Sequence, residues 1–210
     1  MSPKCATNKN GVEMQNFKRY ISEATKDVPV MVFGDMDASV AAKAEKMGLG
    51  EEWVRGDPMK AQNLDAVVSP ANTVGEMSGG YDLVIRNKLG MGVQQKAMKS
   101  LETSKLYLGQ CRVIRTGNGK IPYLMIVPTV VGALRGGNTS AGTVQTKTPP
   151  EVIKKGTYNM MMEAYRKNIN RFATVLLGGG VGGVPKEQAL KLMLEGYLQA
   201  YDEIDELIHG

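Results

Sequence analysis

Three compact apolar runs, "VPVMVFGD" (28–35), "LDAVVS" (64–69) and "ATVLLGGG" (173–180), each close on turn-forming residues and lead into a stretch of helical rhythm. Ala66, Val67 and Val68 do not alternate with polar residues, the pattern of a strand covered on both faces. "EEWVRGD" reads as a further strand ending at Gly56 and Asp57, and "QCRVIRTG" and "IPYLMIVPTVV" as adjacent strands joined through Gly117 to Gly119. Helices are expected over "ASVAAKAEKMG", stopped by Gly48, over "DLVIRNKLGMGVQQKAMKSLETS", interrupted at Gly90 and Gly92, from Glu151 through Phe172, and over "KEQALKLMLEGYLQAYDEIDELIHG". Such alternation predicts an α/β layered fold with a largely parallel sheet, whose ligands sit at the carboxyl ends of the strands.

At 210 residues and 42% hydrophobic, the chain suits one domain, expected over 12–210 after a flexible arm at 1–11. Met14, Phe17, Ile21 and Ala24 place a short helix at its start, and the Gly, Ser, Thr, Asn and Pro of 132–150 read as a mobile loop or insertion. No apolar run approaches the roughly 18 to 20 residues of a membrane span and no secretory signal opens the chain, so a cytoplasmic protein is expected. Cys5, Cys111 and His209 supply neither a framework of bridges nor a zinc set, and no metal or cofactor is expected. The net charge of +5 without a dense Lys/Arg stripe argues against a nucleic-acid partner. Met160, Met161 and Met162 read as core filler.

Three loops after strands carry polar residues: Gly56-Asp57, Asn72 to Asp82, and Gly178 to Gly183. In a parallel layered fold such loops emerge on one edge, so the three are expected to converge. The last contains Gly178, Gly180 and Gly183 in G-x-G-x-x-G spacing before a helix that starts near Pro185, a place where bare backbone amides and a helix end favour phosphate. Its position near the end of the chain argues against a Rossmann dinucleotide unit. Pro185-Lys186 in place of Gly-Lys-Ser/Thr argues against a nucleoside triphosphatase. Taken singly, Asp57 reads as a helix or turn cap, Asn72 as an Asx-turn former and Asp82 as a carboxylate at a helix N-terminus.

Together, "VRGDP", "DAVVSPANTVGEMSGGYDLVI" and "LLGGGVGGVPKEQALKLM" resemble the macro domain, the ADP-ribose-binding and ADP-ribose-processing family. The resemblance implies a three-layer α/β/α fold around a mixed, largely parallel sheet. It implies Asp57 as the reader of the adenine amino group and Asn72 as the holder of the distal ribose. Gly79 and Gly80, with Tyr81 between them and Asp82, form the first diphosphate loop, and Gly178, Gly179, Gly180, Val181, Gly182 and Gly183 the second. Asp82 and Asn72 are the implied catalytic pair. The implied partner is ADP-ribose or an ADP-ribosylated substrate, with hydrolysis at the distal ribose as one activity and a non-catalytic sensor or sequestering module as the alternative. Departures from the family pattern are Ser69-Pro70, Tyr81 in place of a small aliphatic residue, and Gly182 where an aromatic often closes over the distal ribose. Tyr81 or the 132–150 segment is expected to fill that gap.

Overall fold

The computed structural model describes residues 28–134, 141–143 and 147–210. The expected arm at 1–11 and the helix after it lie outside these residues. Six strands form one sheet in the order β2-β1-β8-β3-β5-β4: β1 (Val30–Asp35), β2 (Glu52–Arg55), β3 (Ala66–Ser69), β4 (Arg112–Arg115), β5 (Tyr123–Ile126) and β8 (Arg171–Thr174). All neighbours pair in parallel except β4 with β5. Helices α1 (Ala38–Met47), α2 (Gly80–Leu89), α3 (Met91–Thr103), α4 (Pro150–Arg166) and α5 (Lys186–His209) cover it.

Side-chain alternation along the strands builds two cores, one on each face. Met31, Phe33, Ala66, Val68, Met125 and Phe172 pack with α1, α4 and α5, whereas Val32, Val67, Leu124, Ile126 and Ala173 pack with α2 and α3. The result is the expected α/β/α sandwich. Met160, Met161 and Met162 are all buried in the first core. No helix among the described residues is long and apolar enough to cross a membrane.

Local chemistry explains most boundaries. Asp37 caps α1 by accepting from Ser39 N, and Gly48 closes it in the left-handed region at φ 74°. Gly90 separates α2 from α3 at φ 93°. The expected helix through Phe172 is too long: Asn168, at φ 52°, turns the chain out of α4 after Arg166, and Phe172 lies in β8. Within 132–150 the structure places a two-stranded antiparallel ribbon, β6 (Gly132–Leu134) with β7 (Ala141–Thr143), where the sequence offered only loop composition. The segment then returns through buried Thr148, whose N–H donates to Gly182 O (3.0 Å) and whose hydroxyl donates to Thr129 O (2.8 Å).

Gly196 sets the approach of α5 to α4, since a Cβ there would overlap the Lys154 carbonyl oxygen. Gly196→Ala is therefore expected to cost about 1–3 kcal/mol, the usual range for overpacking. Gly92→Ala, which meets nothing within 4 Å, is expected to gain up to ~1 kcal/mol in helix propensity. Urea denaturation of the two variants reads the opposite signs.

Candidate functional site

A cleft of about 470 Å³ crosses the carboxyl ends of four adjacent parallel strands, β1, β8, β3 and β5. With strands spaced about 4.8 Å apart, it runs roughly 14 Å from Asp35 at the end of β1 to Thr129 and Val130 beyond β5. Between these ends lie the two glycine loops, more than ninety positions apart in sequence, which both line it.

The second loop turns its acceptors inward. Gly178 O takes the Val184 N–H (3.1 Å), Gly180 O that of Gly183 (3.0 Å) and Gly182 O that of Thr148 (3.0 Å). The amides of Gly179, Gly180, Val181 and Gly182 donate to no group among the described residues. Across the cleft, α2 begins without a side-chain cap, and the amides of Gly80, Tyr81 and Asp82 are likewise free of partners there. Gly80 is held at φ 56°, a conformation that glycine tolerates and side chains resist. The N-terminus of α5 is also uncapped, and its Lys186 lines the cleft. Uncapped helix ends and unpaired amides favour an anion, and they do so without a buried cation.

Asn72 is buried in the lining and holds its own loop: Oδ1 accepts from Val74 N (3.1 Å) and Glu76 N (3.2 Å), and Nδ2 donates to Glu76 O (3.1 Å). One amide hydrogen is left over. Asp82, only 7% exposed, accepts from Ser69 Oγ at 2.6 Å through Oδ1, while Oδ2 has no partner among the described residues. Burial pushes its pKa up to about 7; the Ser69 bond opposes the rise and the nearby Glu76 carboxylate adds to it.

Asp57 lies outside the cleft lining. The chain runs from β1 through α1 to β2 on the outer edge, so the Gly56-Asp57 turn emerges one strand too far away. The Asp57 carboxylate caps the 3₁₀ turn Pro58–Lys60, accepts from Met59 N (2.9 Å) and Tyr81 Oη (3.0 Å), and pairs with Lys88 at 2.5 Å. Burial alone would raise its pKa, but these donors outweigh it and hold the group below the ordinary value.

Gly183 also falls outside the lining, at the turn into Val184. Tyr81 lines the cleft yet reaches to Asp57 rather than across the distal end. An aromatic could not occupy position 182 here, because a Cβ there would overlap Thr148 Oγ1.

A carboxylate that the sequence reading did not name, Asp35, also lines the cleft. It belongs to a second Gly-Asp doublet, Gly34-Asp35, which closes "VPVMVFGD" and was open to the same reading as Gly56-Asp57. Its Oδ1 accepts from Asp37 N (2.8 Å), its Oδ2 has no partner among the described residues, and burial raises its pKa against the Asp37 amide and Lys186. Beside it Met36 and, on the second loop, Val181 are 77% and 61% exposed, two apolar side chains at the mouth of the same cleft.

A family model described as "Macro domain" matches residues 68–193. The chain belongs to the macro domain family. Its fold is similar to the macrodomain of Mycobacterium tuberculosis DarG, with a TM-score of 0.57 and 20% identity over 70% of this chain and 88% of that one. It is also similar to a Trypanosoma brucei macrodomain in complex with ADP-ribose, with a TM-score of 0.51 and 20% identity over 67% of this chain and 53% of that one. In sequence it is 30% identical over 136 residues to an uncharacterized protein of Aquifex aeolicus (strain VF5), covering 63% of this chain and 72% of the relative. The match to uncharacterized mycobacterial relatives spans only 31–32% of their length.

Proposed function

We propose that this macro domain binds ADP-ribose or a related ADP-ribosyl nucleotide across the cleft and hydrolyses an ADP-ribosyl derivative at the distal ribose. The observation that carries the reading is the pair of backbone cradles, seven amides without a partner among the described residues, on two distant loops that line one channel. A diphosphate fits between them. The ligand of the Trypanosoma brucei macrodomain, ADP-ribose, has this chemistry.

In this reading Asp35, in place of Asp57, accepts from the adenine amino group, and Met36 and Val181 flank the base. Asn72 shapes the 72–76 turn and offers its remaining amide hydrogen to the distal ribose. Asp82 Oδ2 takes a proton from a water that attacks the anomeric carbon. The bond from that carbon to the attached group breaks, and the departing group keeps the electron pair and takes up a proton, so one water is added overall. An ionised Asp82 is required, so turnover is expected to rise with pH through about 7.

Calorimetric titration tests the binding claim: ADP-ribose is expected to bind well above AMP, and equal affinities would remove the distal pocket from the proposal. Asp35→Ala is expected to weaken ADP-ribose about 10- to 100-fold, the effect of losing a hydrogen bond to a charged acceptor. It is also expected to abolish discrimination against the hypoxanthine analogue. The same loss on Asp57→Ala, with Asp35→Ala silent, would return the base to Asp57. A sensor would share this pocket, a reading favoured by the commitment of Asn72 to its own loop; release of ADP-ribose from a modified substrate separates the two.

A further inference from the structure

Both ends of the cleft carry carboxylates, but the β1 end, with Asp35, also carries a cation among the described lining residues. Lys186 is the cationic side chain among the described lining residues, and it sits at the β1 end, where its Nζ pairs with Asp37 at 2.7 Å. At the β3 end the lining carries Glu76 and Asp82 together with Ser78. Ser78 Oγ donates to Glu76 Oε2 (2.6 Å) and Ser69 Oγ to Asp82 Oδ1 (2.6 Å), which leaves Glu76 Oε1 and Asp82 Oδ2 without partners among the described residues. Asp82 is more than nine-tenths buried and is one of the residues lining the cleft. Two acceptors therefore stand open where the distal ribose would carry its attached group, and neither carboxylate is ion-paired among the described residues.

We propose, building on the nucleotide reading above, that the group attached to the distal ribose is a cationic nitrogen base, a guanidinium in particular, held by Glu76 and favoured by the charge of Asp82, whose Oδ2 stays with the water. A guanidinium presents donors in a planar fork that matches a carboxylate and stays charged at any relevant pH. A terminal phosphate would bring about 1.5 to 2 negative charges against the same two groups. A carboxyl ester would leave both without a donor. Ionisation of Asp82, which burial and Glu76 resist, is eased by a cation between them. The site thus selects its substrate by the charge of the leaving group.

Stopped-flow displacement of fluorescently labelled ADP-ribose at pH 8, read before turnover, compares two competitors: ADP-ribosyl-agmatine, joined through its guanidine, and ADP-ribose 1″-phosphate. The agmatine conjugate is expected to bind at least ten-fold more tightly than unlabelled ADP-ribose and the phosphate more weakly than it. In Glu76→Gln the span between the competitors is expected to shrink by about ten-fold, with circular dichroism confirming the fold. A phosphate that competes as well as the agmatine conjugate overturns the proposal, as does a preference that Glu76→Gln leaves intact. If the labelled ADP-ribose itself fails to bind, before any competitor is added, the nucleotide reading falls instead.

Discussion

Asp82→Asn is expected to slow release of ADP-ribose from a modified substrate by about 10²- to 10⁴-fold, the usual contribution of a positioned acid or base, while ADP-ribose affinity changes only a few-fold. Asparagine keeps an oxygen for the Ser69 hydroxyl, so the loss falls on Oδ2. The same substitution changes stability, with a sign fixed by protonation. In the folded chain the carboxyl holds its proton up to about pH 7, whereas unfolded it releases the proton near its ordinary 3.8. The folded state therefore binds more protons across that window. Stability falls as pH rises through it and levels off above about 7.

Asp82→Asn removes this slope, so the variant matches wild type near pH 4 and exceeds it at pH 8 by at most about 4 kcal/mol, at ~1.4 kcal/mol per pKa unit. Glu51, which accepts from Tyr197 Oη and is also pushed up to about 7 by desolvation, retains its own slope of the same sign. Guanidinium denaturation at both pH values, with a release assay, checks the pair of outcomes. A variant that turns over like wild type would remove Asp82 from the chemistry.

Gly182→Ala is the second large effect. Its Cβ would overlap Thr148 Oγ1 and lie 2.8 Å from the Gly178 carbonyl oxygen, so the second loop must move as a unit. A cost of about 1–3 kcal/mol in stability is expected, together with a loss of ADP-ribose affinity of ten-fold or more, because the amides on either side lose their aim. Gly180→Ala is the control. Nothing lies within 4 Å of its Cβ position, so stability is expected to hold while a methyl group intrudes on the cleft and weakens binding alone. Thermal denaturation beside titration separates the two behaviours; equal melting losses for both variants would contradict the geometry.

The layer architecture was legible because β-strand runs such as Ala66 to Val68 are buried on both faces and therefore apolar throughout. Gly48 and Gly90 marked helix ends because each occupies a positive-φ position there. Strand order was less accessible. Nothing in "EEWVRGD" distinguishes an edge strand from a central one, yet that difference moves Asp57 out of the cleft and brings Asp35 into it. The glycine loops were readable as loops, but their chemistry depends on which carbonyls turn inward, a matter of tertiary hydrogen bonds to Thr148 and Val184. Likewise Tyr81 was identifiable as unusual, while its bond to Asp57 needed two distant segments to meet.

Both rims of the main sheet are four residues long. β2 carries Glu52 and Arg55 at its ends, β4 carries Arg112 and Arg115, Glu52 is ion-paired to Arg171, and Arg112 reaches back to Ser100 O and Ser104 O. Short, charged rims give an incoming strand little length to register against and force it to desolvate ions. The described rims are thereby poor templates for edge-to-edge pairing, so the cleft can stay open without the sheet recruiting a second copy along its flanks.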